Sequence, residues 1–162
     1  MSAKILQPPL YEEIEGPVIF LAGPIQGASD WQKEAIRILH SFNPNICIAN
    51  PRREYLDGMF VYEKQVDWET HYLNRAAKNG VILFWLAKEF AHACDRAYAQ
   101  TTRFEIAEWK AKYEQSKFSL VIGIEEGFTG GRYVKHRVGK DCPEVKILNN
   151  LEETCRTALK YI

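Results

Sequence analysis

Three short segments hold residues able to do chemistry: Thr101-Thr102-Arg103-Phe104-Glu105, Gln65-Val66-Asp67-Trp68-Glu69 and Gly23-Pro24-Ile25-Gln26-Gly27. A carboxylate in the first turn of a helix, just beyond a buried strand, is kept ionised by the helix N-terminus and can act as a nucleophile. Thr102 and Glu105 also have the spacing of a capping box, in which the glutamate serves only the helix end. Spacing alone leaves both readings open. On a helix, Gln65, Glu69 and Tyr72 share a face. That face is either a polar wall able to read a heterocycle, with Trp68 packed nearby, or plain solvated surface. Gly23 and Gly27 would let a ligand approach the backbone ahead of a helix start. They match neither a dinucleotide fingerprint nor a P-loop, and a tight strand-to-helix turn uses the same residues. Arg52 and Arg53 could bind a phosphate or pair with Glu69 or Glu54, and loop arginines are often plain surface. His92-Ala93-Cys94-Asp95 has no third group in sequence to complete a Cys/His site and reads as loop. Gly130-Gly131-Arg132-Tyr133 reads as a mobile flap over a cleft or as an ordinary loop.

These segments must be positioned by the elements between them. Residues 1 to 16, with Pro8 and Pro9 and followed by Pro17, read as an arm wrapping the surface. Val18–Ala22 is the first strand. Ser29-Asp30-Trp31-Gln32 has the form of a capping box, and Trp31, Ala35, Ile38, Leu39 and Phe42 then repeat at helical spacing up to Asn43-Pro44-Asn45. Ile46–Ala49 is a short strand and residues 51 to 64 a loop. Gln65 to Lys78 is a helix burying Val66, Leu73, Ala76 and Ala77, ended by Asn79-Gly80. Val81–Leu86 is the most apolar strand, hence central and covered on both faces. After a polar stretch, 88 to 100, Thr102 opens a helix to about Glu114 with Phe104, Ala107 and Ala111 in one stripe. Leu120–Ile124 is a strand, 127 to 142 a glycine-rich loop, Val145–Leu148 a short strand, and Asn150 caps a last helix. This alternation predicts one α/β domain: a mostly parallel five-stranded sheet between two helical layers, with ligands beyond the carboxyl ends of the strands.

Composition narrows the classes. The chain has 162 residues, which suits a single core, and its 21 basic residues balance 21 acidic ones. A neutral chain offers no field for polymeric nucleic acid, while a single nucleoside needs only local contacts. No apolar run reaches the roughly 20 residues of a membrane span, and the first residues lack a signal-peptide core, so a soluble cytosolic protein is expected. Cys47, Cys94, Cys142 and Cys155 form no CxxC pair and the four histidines no HExxH, so reduced structural thiols are expected in place of disulfides or a metal site.

Taken together, Phe20–Ile25 (FLAGPI), Asn50–Arg53 (NPRR), Gln65–Glu69 (Q-x-x-W-E) and Thr102–Glu105 (T-x-x-E) resemble the nucleoside 2-deoxyribosyltransferase family, from about Val18 to Ile124. The resemblance implies a flavodoxin-like (Rossmann-like) three-layer sandwich and a homo-oligomer whose neighbouring subunit helps close the site. It implies Glu105 as the nucleophile that attacks the anomeric carbon of a 2'-deoxynucleoside, and a second base that takes the sugar from the same face with retention. Glu69 is then the candidate for holding or protonating the base, with Asp67 or Asp95 as substitutes. Gly23 and Pro24 would form the floor under the sugar, and Phe20, Gln65, Trp68, Thr102 and Arg52 would line the substrate. The implied partners are 2'-deoxynucleosides and free nucleobases, with no cofactor, no polymeric nucleic acid and no membrane. The chain departs from better-known members at Phe20, where they carry tyrosine; at Ala107, where they carry glycine; and at Ala99, where they carry an acid. A hydrolase of deoxynucleoside 5'-monophosphates and a non-catalytic nucleotide-binding module are the other readings.

Overall fold

A computed structural model describes residues 4–54, 60–92 and 95–162. Six parallel strands form one sheet: β1 (Lys4–Leu6), β2 (Val18–Ala22), β3 (Cys47–Ala49), β4 (Gly80–Leu86), β5 (Leu120–Ile124) and β6 (Ile147–Leu148), in the order β1-β3-β2-β4-β5-β6. Four helices connect them, α1 (Trp31–Phe42), α2 (Tyr62–Lys78), α3 (Gln100–Gln115) and α4 (Gly131–Asp141), and α5 (Leu151–Ala158) follows β6.

Side chains alternate across each strand and so feed two cores. Val18, Phe20, Ala22, Ile82, Phe84, Leu86, Leu120 and Ile122 pack under α2, α3 and α4. Ile19, Leu21, Val81, Leu83, Trp85 and Val121 pack under α1 and α5. The strand called most apolar, β4, lies inside the sheet and is buried from Val81 to Leu86, as a strand covered on both faces must be. The order reverses between β2 and β4, which opens a crevice at their carboxyl ends.

The sheet has six strands where five were expected. The extra one is Lys4–Leu6, too short to show a period, and it forms because Leu6 is buried and the segment pairs with Cys47–Ala49. The arm behind it does not merely drape the surface. The Leu10 carbonyl accepts from Trp68 Nε1 at 2.8 Å, Glu12 N–H donates to Tyr72 Oη at 2.8 Å, and the Ile14 and Gly16 carbonyls accept from Arg75 Nη2 at 3.0 and 2.7 Å. All three side chains belong to α2, so the arm straps that helix in place.

Several local expectations change. Asp30, not Ser29, caps α1, with its Oδ1 accepting from Lys33 N–H at 3.1 Å, while Gln32 turns instead to Arg52 and Pro24. The segment 51–64 is not all loop, since α2 begins at Tyr62, and residues 55–59 lie outside the described residues. On α2 the buried side is Gln65, Trp68, Tyr72, Leu73 and Ala76, and Val66 is exposed. On α3 the buried side is Thr102, Ile106, Trp109 and Tyr113, while Phe104 is 73% exposed. Two large aromatics outweigh the smaller Ala107 and Ala111 in setting the inward face. The expected loop 127–142 contains α4, so Gly131, Arg132 and Tyr133 are its first turn and not a flap. Strand β6 is Ile147–Leu148 only. Asn150 does cap α5, with its Oδ1 accepting from Glu153 N–H at 3.0 Å. Cys47, Cys142 and Cys155 are buried free thiols, and Cys94 lies outside the described residues.

Gly23 carries the chain from β2 into the crevice at φ +156°, a conformation that L side chains rarely adopt. A Cβ there would collide with the Trp85 carbonyl oxygen and sit 2.7 Å from Trp31 Cζ2. Both neighbours are fixed: Trp85 by its strand, and Trp31 by donating Nε1–H to the Pro24 carbonyl at 2.8 Å. Gly23→Ala is therefore expected to destabilise the fold by roughly 2 kcal/mol or more in chemical denaturation.

Candidate functional site

A cleft of about 620 Å³ opens at the carboxyl ends of β2, β3 and β4. That volume is in the range of small-molecule sites. Its floor is Phe20, Ala22, Gly23 and Pro24 from β2 and the turn after it. One wall is α2, through Tyr62, Gln65, Val66 and Glu69, and the facing wall is the start of α3, through Thr102 and Glu105. Pro51 and Arg52 come from the segment after β3, and Glu89, Arg96 and Tyr98 from the segment after β4.

Glu105 is not a capping residue. Helix α3 starts at Gln100 from Ala99 in the left-handed region (φ 56°), with no side-chain cap. Glu105 therefore sits in the second turn, away from the helix end, and Thr102, one turn earlier, is buried. The capping-box reading fails for this reason. So does the expectation that the helix N-terminus keeps Glu105 ionised, because the favourable field fades beyond the first turn. Burial first, then the charges of Glu69 and Glu108, push the Glu105 carboxyl up to about 8. Among the described residues no hydrogen bond or ion pair holds it.

Glu69 is also raised by burial, against which a hydrogen bond from Gln65 acts. Gln65 Nε2 donates to Glu69 Oε1 at 2.7 Å and to the Pro51 carbonyl at 3.0 Å. The polar face expected at Gln65, Glu69 and Tyr72 thus turns inward and is not solvated surface: Gln65 and Tyr72 are buried. Two acids thus line one cleft with both carboxyls raised by burial, and the charge of Glu69 raises Glu105 further.

Other anticipated residues land differently. Arg52 lines the cleft but does not pair with Glu69. Its Nη2 donates to the Ile25 and Ser29 carbonyls, both at 3.0 Å, its Nε donates to Gln32 Oε1 at 2.9 Å, and Asp30 Oδ1 lies 3.4 Å away. With these acceptors the guanidinium holds the loop after β2 in shape. Arg53 lies over the Phe60 ring at 5.3 Å. Trp68 is fully buried, packs on Phe20 at 6.2 Å between centroids, and does not line the cleft. Asp67 and Asp95 are exposed and do not line it either. In the segment His92–Asp95, residues 93 and 94 lie outside the described residues.

Sequence reasoning passed over Tyr98. Its Oη donates to the Ala87 carbonyl at 2.7 Å, and burial pushes its hydroxyl up to about 12, so it stays neutral at the cleft wall. Arg96 at the mouth donates to Gln26 Oε1 at 2.9 Å. Their signal was position: both follow the central strand, where a parallel sheet places its site.

No curated protein matches the chain. The family described as Nucleoside 2-deoxyribosyltransferase like matches residues 16–128, a span holding the floor of the cleft, both acids and the segments after β3 and β4. With more than half its length matched, the chain belongs to the nucleoside 2-deoxyribosyltransferase-like family.

Proposed function

We propose that the protein exchanges the base of 2'-deoxynucleosides, transferring the 2-deoxyribosyl group with retention through an ester on Glu105. The observation that carries this is two acids lining one cleft, each raised by burial, with Glu105 neither capped nor salt-bridged among the described residues. A structural carboxylate would be given a cation or a cap, and a merely binding cleft has no use for the cost of holding these two together.

In the first half-reaction a Glu105 carboxylate oxygen bonds to C1' of the sugar as the C1'–N bond breaks. The bonding pair stays on the departing nitrogen, which takes a proton from Glu69. In the second half, an incoming base nitrogen attacks C1', its proton goes to Glu69, and Glu105 leaves as carboxylate. The competent state therefore holds one proton on the pair, with Glu105 ionised and Glu69 neutral. Arg52 already spends Nε and Nη2 on Gln32 and on the Ile25 and Ser29 carbonyls, which weighs against assigning it to a 5'-phosphate.

With deoxyinosine and adenine supplied together, deoxyadenosine is expected by chromatography, and only when adenine is present. Equal release of hypoxanthine with and without adenine would mean hydrolysis instead. Glu105→Ala is expected to lower exchange by about a thousandfold or more, and retention of full activity would sink the mechanism. Because the pair loses its last proton as pH rises through about 8, kcat/KM is expected to fall about tenfold per pH unit above that point. A rate still climbing at higher pH would contradict a protonated Glu69 as the acid.

The same proton has a stability consequence. The Glu105 carboxyl is raised from its ordinary 4.5 to about 8, so the stability present below 4.5 is lost as pH rises through 8. Glu105→Gln is expected to melt about 5 °C above the parent at pH 8.5, and the difference to close near pH 5.

A further inference from the structure

The Gln65 amide has no hydrogen left for a ligand. Both hydrogens of Nε2 are used, one on the Pro51 carbonyl at 3.0 Å and one on Glu69 Oε1 at 2.7 Å. Its orientation is not interchangeable, because the Pro51 carbonyl can only accept, and a flipped amide would set two oxygens against each other. The amide oxygen, Oε1, is closed off from solvent without a partner, so it does not reach the cleft. Although Gln65 lines the cleft, its polar atoms act on Glu69, one turn along α2.

The anchor at Pro51 is itself firm. Asn50 N–H donates to the Leu6 carbonyl at 2.9 Å, Arg52 N–H to Asn50 Oδ1 at 3.0 Å, and Gln7 Nε2 to the Arg52 carbonyl at 2.8 Å. A fixed chain of contacts thus runs from β3 through Pro51 and Gln65 to one oxygen of Glu69. That oxygen already receives an N–H. A proton placed on it would weaken the acceptor that the amide needs, so a neutral Glu69 carries its proton on the other oxygen.

We propose that Gln65 is a positioning residue for the general-acid step, confining the transferable proton of Glu69 to Oε2, the oxygen left for the leaving base. The proposal rests on the transfer reading above. During departure Oε2–H gives its proton to the base nitrogen, and the carboxylate so formed keeps the Gln65 hydrogen bond, which strengthens as charge develops on Glu69. The other charged groups around the cleft are Glu105 and Glu108 on α3, Arg52 after β3, and Glu89 and Arg96 between β4 and α3. None of them is altered by changing Gln65.

The test compares two substrates in the full chain with Gln65→Met, which keeps the side-chain length and loses the donor. With deoxyinosine, whose base needs a proton to leave, kcat is expected to fall at least about tenfold with KM little changed. With 4-nitrophenyl 2-deoxyriboside, whose leaving group departs as an anion, the fall is expected to stay below about threefold. Equal losses on both substrates, or none on either, would overturn the proposal. If the parent protein turns over neither substrate, the transfer reading has failed, and the ¹³C signal of the Glu69 carboxyl still decides on Gln65. Its titration midpoint is expected to move up by about half a pH unit in Gln65→Met, and an unmoved midpoint overturns the proposal. Gln65→Leu serves if the methionine variant does not fold.

Discussion

Two carboxyl groups in one half-buried cleft repel, and each resists ionising when water is withdrawn. That cost is the constraint around which the rest of the molecule is arranged. Glu69 and Glu105 sit on different helices, α2 and α3, which pack on the same face of the sheet. Neither helix is free to tilt away. Trp68, Tyr72 and Leu73 fix one, Ile106, Trp109 and Tyr113 fix the other, and all pack on β2, β4 and β5. The apolar core supplies the rigidity that lets an unfavourable polar arrangement persist.

The floor of the cleft follows the same logic with neutral groups. Arg52 brings a cation to the site but spends it on backbone carbonyls and on Gln32, so it shapes the turn after β2 without quenching either acid. Tyr98 is held neutral, and Gln65 touches Glu69 with an amide. A lysine or arginine in either place would pull the acids back toward their ordinary ionisation. The cations that line the cleft, Arg52 and Arg96, are thus engaged elsewhere and form no ion pair with either acid among the described residues.

Much of this was legible in the residues. Val18–Ala22 and Leu120–Ile124 were read to the residue, because a buried parallel strand is a continuous apolar run bounded by breakers. The cleft lies where strand ends and motifs coincide. What was hidden has particular causes. The start of α3 carries no side-chain cap, so a threonine three residues before a glutamate looked like the boundary. Helix α3 is apolar on more than one side, and only packing shows that Trp109 and Tyr113 go in while Phe104 stays out. Helix α4 begins at paired glycines and has few apolar residues, so local signals favour a loop. Strand β1 exists through its partner alone, which no local pattern reveals. The inward turn of Gln65 could not be inferred from spacing, since a solvated helix face has the same periodicity.

The arm and α2 have one further consequence. Carbonyls at Leu10, Ile14 and Gly16 and the amide of Glu12 hold Trp68, Tyr72 and Arg75, side chains on the helix that carries Glu69. All but Gly16 precede the span the family shares. How deep the acid sits is therefore written partly in residues outside the common motifs. The arm is in this sense a tuning peg for the acid: a change there would shift α2, and with it the burial that raises the Glu69 carboxyl, while every residue lining the cleft stays the same.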